Sequence, residues 1–368
     1  MSGIATKSER KPAVYLDHAA TTPVCAAARA AMAEALTLTG NPSSVHSGGR
    51  AANAVLEAAR DTLARWAGCD PESLVFTSGG TEALALALNG SGATRVLAGA
   101  TEHSAVLAAR DDIELLPVDP NGLLDLEALA AALASGPAPK STIVAVQHAN
   151  NETGVVQPVA AIAELVAAHG SQLLVDAVQS AGKLPLPQAD FIALSAHKLG
   201  GPPGVGALIA RDPASLNAVQ RGGGQERGRR GGTPNLPGIA GFAAALGQNP
   251  DWAAVAARRD ALEARLGTQV HGQAAPRLPN ITSLALPGVS AQTQVMALDL
   301  AGFMVSAGAA CSSGKVKTSH ILTAMGLGPA AGEAIRVSLS PATTDAELDA
   351  FADAWLAMAR RLAPKVAA

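Results

Sequence analysis

Residues 142–180 read TIVAVQHANNETGVVQPVAAIAELVAAHGSQLLVDAVQS: an apolar run, a polar turn, an alanine-rich stretch and a second apolar run. The runs IVAV (143–146) and LLV (173–175) suit strands buried on both faces, and the stretch at 158–169 between them has the composition of a helix. The same alternation extends outward. It predicts helices at 50–67, 81–89, 102–110, 125–134 and 158–169, with strands at 73–77, 94–98, 113–116, 142–146 and 172–176. That order is the order of an α/β domain, a mostly parallel sheet flanked by crossover helices, whose ligands sit beyond the carboxyl ends of the strands. After residue 250 a helix at 251–266 leads to strands at 281–286, 302–306 and 334–339 and a last helix at 344–362, which reads as a smaller α+β domain. The expected division is a large domain over 15–250 and a small one built from 1–14 and 251–368.

With 368 residues, 48% of them hydrophobic and 15% charged, the chain can bury two cores. Its 27 basic and 30 acidic residues leave a net charge of −3 and no long basic tract, which argues against a nucleic-acid partner. The opening MSGIATKSERKPA lacks the apolar stretch of a signal peptide. No apolar run reaches the roughly 18 residues of a membrane span, so the expectation is a soluble, cytoplasmic protein. Cys25, Cys69 and Cys311 form an odd set without metal-ligand spacing, so neither a disulfide framework nor a metal site is expected.

The segment FIALSAHKLGGPPGVGALIA (191–210) reads as a strand, a polar wall carrying Ser195, His197 and Lys198, and a second strand. A lysine at the mouth of a sheet can lose its charge to burial and form an imine with an aldehyde cofactor. A solvated loop lysine is the alternative, and the rest of the chain decides between them. One strand earlier, Asp176 ends the apolar run of 172–180, where a carboxylate is costly unless paired. A pyridinium nitrogen would pair it, and Gln179 could hydrogen-bond a ring hydroxyl. A turn-capping Asp would explain the same position.

FTSGGTE (76–82) passes from strand through glycines into helix, so free amides and the Thr81 hydroxyl could cradle a phosphate, unless they serve as an ordinary N-cap. Ser195, His197 and the cluster RGGGQERGRRGGTPN (221–235), with Thr233 and its arginines, could bind the same anion. That cluster could equally be a solvated basic loop. His103 lies near a helix start, where an imidazole could stack on a ring and move protons, or could be structural. Asn151 and Arg336 could hold a substrate carboxylate, since arginine offers a two-point clamp. Otherwise Arg336 is a strand residue facing solvent. Cys311, in SAGAACSSGKVKTSH, sits among small residues with Gly308 and Gly314, a setting for a swinging, nucleophilic thiol favoured by Lys315 and Lys317. Cys25 and Cys69 read as small packing residues.

These motifs, with YLDHAATTP (15–23), GNPSSVHSGGR (40–50), NNETGVVQP and IRVSLSPATTDAEL (335–348), occur in one order along nearly the whole chain. In that order the chain resembles the cysteine desulfurases, pyridoxal 5'-phosphate-dependent enzymes of the class V aminotransferase group with an aspartate aminotransferase-like fold. The resemblance implies that Lys198 holds the cofactor as an imine, that Asp176 and Gln179 contact its ring and that His103 stacks on it. Phosphate contacts fall on Gly80, Thr81, Ser195 and His197, with Thr233 reaching across from the second subunit of a homodimer. Substrate carboxylate contacts fall on Asn151 and Arg336. The persulfide-forming cysteine falls on Cys311, in a loop of the longer type found in the branch that serves iron–sulfur cluster assembly. L-Cysteine is the implied substrate, and the implied sulfur acceptor is a protein, such as an iron–sulfur scaffold.

Two departures stand out. Where relatives commonly carry asparagine after Gly-Thr-Glu, this chain reads GTEALALAL. It also ends at LAPKVAA, without the longer tail some relatives use to dock a scaffold. Competing readings are a selenocysteine lyase or a transaminase on the same cofactor, which the loop cysteine disfavours. A non-catalytic binding or assembly protein is a third, which the complete set of cofactor residues disfavours.

Overall fold

The computed structural model describes residues 13–136, 141–308 and 318–362. A seven-stranded sheet runs through its larger part in the order Leu74–Thr77, Gly206–Ala210, Phe191–Ser195, Gln172–Asp176, Thr142–Gln147, Arg95–Gly99, Ile113–Leu116. Strand Gly206–Ala210 is antiparallel to both of its neighbours, and the other pairs are parallel. Successive side chains of a strand point to opposite faces. Thus Val144 and Val146 pack with Leu63, Ile162 and Phe242 on one face, while Ile143 and Ala145 pack with Leu84, Leu88 and Val106 on the other. Both faces are covered by helices, so the strands need apolar residues at every position, and the sequence shows continuous runs instead of alternation. Fully burying each such Val or Ile contributes roughly 1.5–3 kcal/mol.

The helices begin and end on local signals. His46 caps Ser47–Ala67 through its side chain, and Gly68, in a left-handed conformation, ends it. Asp125 caps Leu126–Ala134, and Asp251 caps Trp252–Leu266. A second core collects Leu16, Val255, Leu262, Ile335, Val337, Phe351 and Trp355. It lies on a two-stranded antiparallel sheet, Ile281–Ala285 with Ala334–Ser338, and a short parallel pair, Val14–Tyr15 with Phe303–Met304. Beyond Tyr15 the chain bridges to Ser338 at Asp17 and then crosses toward the large sheet, where Thr22 N donates to His197 O at 2.8 Å. No helix among the described residues is long and apolar enough to cross a membrane.

The expected helix at 102–110 shrinks to Ser104–Leu107, because His103 caps it late and Glu102 turns inward. The expected strand at 302–306 is only Phe303–Met304. Helices Ala26–Ala35, Leu236–Ala245 and Ala291–Leu300 go beyond the sequence expectation. In the second, LPGIAGFAAA, a proline and two glycines hide a helix that is buried on most sides.

Candidate active site

The carboxyl ends of the parallel strands converge on one cavity of about 820 Å³. Strand Phe191–Ser195 delivers Ser195 and, through a short 3-10 turn, His197 and Lys198. Strand Gln172–Asp176 delivers Asp176 and Gln179; the turn after Thr142–Gln147 delivers Asn151; the helix after Leu74–Thr77 delivers Gly80 and Thr81. His103 follows Arg95–Gly99, and Arg336 enters from the small antiparallel sheet. All ten of these expected residues line the cavity.

Lys198 is partly buried, and its Nζ donates to the carbonyl oxygens of Ala19 at 2.6 Å and Ala20 at 2.9 Å. Burial, and then the positive charge of Arg336, lower its pKa from 10.5 to about 8, against the opposing pull of Asp176 and Asp17. Near neutral pH a fraction of the amine is therefore unprotonated and nucleophilic. Gln179 Nε2 donates to the same Ala19 oxygen at 2.9 Å, so one backbone carbonyl ties the lysine to the strand beside it. Behind Lys198 a smaller cavity of about 100 Å³ is lined by Lys183, Cys25 and Trp252. Lys183 Nζ donates to Gln179 O at 2.9 Å, and burial lowers its pKa to about 7.

Asp176 is buried, its Oδ1 accepting Val178 N at 2.9 Å. Burial raises its pKa to about 6, only partly offset by that hydrogen bond and by Lys198. A carboxylate in this state lacks a full cationic partner, and the protonated nitrogen of a pyridine ring supplies one. At the other end of the cavity, helix Gly80–Gly90 starts at Gly79, which offers no side-chain cap to the leading amides. A Cβ on Gly80 would stand 2.6 Å from Val178 Cγ2, so a larger residue there would displace the Val178 side chain in the turn after Asp176. Bare helix-start amides with Thr81 and Ser195 make an anion cradle. The cavity thus suits a planar cationic ring at Asp176, an anion at Gly80 and an aldehyde at Lys198, and the residues present fit pyridoxal 5'-phosphate.

Arg336 is 5% exposed, contrary to the solvent-facing alternative. Its Nη1 donates to Asn151 O at 2.9 Å and its Nη2 meets Asp17 Oδ1 at 2.6 Å, while Nε is buried without a partner among the described residues. His103 Nδ1 accepts Ala105 N at 3.0 Å, and burial, then Lys198 and His320, lower its pKa.

Three expectations fare differently. Thr233, expected to reach across to the site of the second subunit, borders a separate cavity of its own chain with Ser78 and Arg230. Three arginines around it pair within the chain. Arg227 pairs with Glu72 at 2.9 Å, Arg229 donates to Glu72 O at 2.8 Å and Arg230 pairs with Glu82 at 2.8 Å. Each found a nearby carboxylate or carbonyl, and clustered positive charge favours such pairing over convergence. Cys311, with Gly314, Lys315 and Lys317, lies outside the described residues. Cys25 Sγ accepts Ala28 N at 3.4 Å as a helix cap, and Cys69 packs against the core, where burial raises its pKa.

Sequence reasoning missed Asp17, Glu102, Glu152 and His320. Glu102 is buried, its Oε1 accepting Gln147 N at 2.9 Å and its pKa raised well above normal by burial. Glu152 Oε2 accepts Ser319 Oγ at 2.6 Å. Leu84 lines the cavity one turn into the helix that starts at Gly80, within the stretch that departs from the family's asparagine.

The fold and this site define a cofactor-dependent enzyme of the α/β transferase kind. Residues 14–351 match the aminotransferase class-V family, and the chain belongs to that family. It is 43% identical over 363 residues to a cysteine desulfurase of Cereibacter sphaeroides, covering 91% of this chain and 93% of that one. It superposes on a NifS-like protein from Rickettsia africae with a TM-score of 0.87 at 31% identity, over 94% of this chain and 99% of the other. A structure of SspA in complex with cysteine aligns with a TM-score of 0.79 at 29% identity, over 90% and 100% of the two chains. The cofactor of the family is pyridoxal 5'-phosphate.

Proposed function

We propose that the chain is a pyridoxal 5'-phosphate-dependent cysteine desulfurase that converts L-cysteine to L-alanine and carries the sulfur as a persulfide on Cys311. The observation that carries the reading is the meeting of Lys198, with its lowered pKa, and buried Asp176 in one cavity that Arg336 also lines. The substrate class is supported by the relative named cysteine desulfurase and by the SspA structure that holds cysteine.

When bound, the cofactor supplies an electrophilic carbonyl carbon for an amino-acid nitrogen and a protonated ring that draws electrons from Cα. Lys198 would hold that carbonyl carbon, Asp176 would keep the ring nitrogen protonated and Gln179 would face the ring hydroxyl. Gly80, Thr81, Ser195 and His197 would bind the phosphate, with Thr233 contributed by the partner of a homodimer. His103 would cover the ring and donate from Nε2. Arg336 and Asn151 would hold the substrate carboxylate. The Cys311 thiolate would attack the substrate sulfur; the new S–S bond replaces the C–S bond, and alanine leaves after gaining the protons its carbon needs. A protein acceptor, an iron–sulfur scaffold among them, would then take the sulfur, in the cytoplasm.

The test is to incubate the purified holoenzyme with L-cysteine, quantify alanine and map persulfide by mass spectrometry. The expected result is alanine with persulfide on Cys311, no turnover in Lys198→Ala, and retained cofactor colour without desulfuration in Cys311→Ser. Sulfide release by Lys198→Ala at the wild-type rate would sink the assignment. Persulfide on Cys25 or Cys69 instead would refute the role given to Cys311.

A further inference from the structure

Behind the main cavity lies the smaller one of about 100 Å³, walled by Trp66, Trp252, Leu199, Leu246 and Pro341. Lys183 also lines it, and no aspartate or glutamate among the described residues does. Lys183 and Lys198 are the two lysines among the described residues. Lys198 borders both cavities, but the Ala19 and Ala20 carbonyls that hold its Nζ line only the main one of the two. Lys183 Nζ donates to Gln179 O at 2.9 Å and to Lys198 O at 3.5 Å, and it stands 5.6 Å from the centre of the Trp252 ring. A carbonyl oxygen only accepts, so both contacts use N–H bonds and leave the lone pair of the neutral amine free. The indole wall is itself fixed, since Trp252 Nε1 donates to Gly182 O at 2.6 Å, one residue before Lys183.

The titratable groups around Lys183 do not hold a proton on it. Lys198 opposes its charge, the His18 ring is kept neutral by burial, and Cys25, which shares the cavity, has its Sγ engaged as a helix cap. Burial acts in the same direction and lowers the Lys183 pKa to about 7. The walls set what can approach the amine. Apolar side chains and two indoles favour an uncharged apolar molecule. A dry cavity of about 150 Å³ takes benzene, so this smaller one suits a chain of roughly three or four carbons. The phosphorylated ring that fits the main cavity is too large for it, and here the ring would find neither a carboxylate nor a bare helix start.

We propose that Lys183 is a second carbonyl-reactive amine of this chain, one that takes short apolar aldehydes as an imine in its own cavity. The nitrogen lone pair attacks the aldehyde carbon and a C–N bond forms. The carbonyl oxygen then leaves as water with two hydrogens from the nitrogen, the C–N bond becomes C=N, and no net oxidation or reduction occurs. Losing two hydrogens costs the nitrogen at least one of its bonds to Gln179 O and Lys198 O. Modification is therefore felt in the two turns that carry Gln179 and Lys198 to the main cavity. The inference does not depend on which amino acid that cavity takes.

The test treats the holoenzyme, in which the cofactor occupies Lys198, with propanal and cyanoborohydride near neutral pH. The reductant fixes each imine as a stable amine, and peptide mass spectrometry follows the alkylation of every lysine over time. Lys183 is expected to react at least roughly tenfold faster than any lysine other than Lys198, because an ordinary lysine near neutral pH is almost wholly protonated. A smaller margin overturns the proposal. In a second arm pyridoxal 5'-phosphate replaces propanal under the same conditions. The advantage of Lys183 over the other lysines is expected to vanish with this larger, anionic aldehyde. An advantage as large as that with propanal would mean that the cavity selects nothing, and it too overturns the proposal.

Discussion

Arg336 Nη2 lies 2.6 Å from Asp17 Oδ1, although the two residues are 319 positions apart in the chain. The contact fastens the segment that crosses from the small sheet to the large one onto the arginine proposed to bind the substrate carboxylate. Asp17 fixes where the guanidinium points and also offsets its charge, and these two effects act oppositely on an anionic ligand. Asp17→Asn keeps an acceptor oxygen and removes the charge, so KM for cysteine should stay within about threefold of wild type. Asp17→Ala removes both, and losing a charge-assisted hydrogen bond at a buried arginine should raise KM roughly tenfold with kcat little changed. A tenfold rise for the asparagine variant as well would show that charge, not aim, is what Asp17 supplies. Steady-state kinetics on the two variants separate the cases.

The pH dependence of Lys198 follows from its neighbours. Burial and Arg336 lower its pKa from the ordinary 10.5 to about 8, so the neutral amine becomes the main form above about pH 8. In cofactor-free protein, acylation of Lys198 with limiting acetic anhydride should reach half its plateau near that pH. Arg336 pushes the value down and Asp176 pushes it up, so Arg336→Gln should move the midpoint upward and Asp176→Asn downward. Peptide mapping must resolve Lys198 from Lys183, whose own pKa is lowered to about 7. A Lys198 midpoint near 10.5 would remove the physical basis for its nucleophilicity.

What the sequence made legible follows from where each signal is written. Asp176 and Lys198 stand at the ends of unbroken apolar runs, and a polar residue there is visible against its background. Gly80 and Thr81 lie on a strand-to-helix turn whose glycines mark it. Asp17 and His320 carry no such contrast. Asp17 sits in a short mixed stretch, and its importance comes from Arg336 on a distant strand. His320 lines the cavity and meets the backbone oxygen of Glu102, 218 positions earlier, a contact no local pattern encodes. The helix Leu236–Ala245 was hidden because burial on most sides removes the polar stripe by which an amphipathic helix is recognised. The arginines of 221–235 are visible as charges, but their carboxylate partners Glu72 and Glu82 lie on other elements, and no local pattern announces those pairs.

The same loop is pinned by a buried ion pair. Arg60 binds Glu226 through Nη1 at 3.0 Å and Nη2 at 2.9 Å, and both side chains are 2% exposed. Glu226 Oε2 also accepts Phe76 N at 2.8 Å, and Arg60 Nη1 donates to Leu74 O at 2.9 Å, so the pair satisfies the edge of strand Leu74–Thr77. The loop holds Glu226 and Arg227 at φ of 48° and 57°, left-handed values that cost a non-glycine residue energy. Removing one partner leaves the other charge buried, which costs about 3–5 kcal/mol, whereas a surface pair is worth under about 1. Glu226→Gln should therefore lower the free energy of unfolding by about 3–5 kcal/mol in denaturant titration. Glu72→Gln, at the exposed Arg227 pair, should change it by less than about 1. Arg60→Met combined with Glu226→Gln should cost less than the sum of the single changes, because neither charge is then left unpaired. Additive losses would mean that the two side chains stabilise the fold separately, through the strand backbone, and not as a pair.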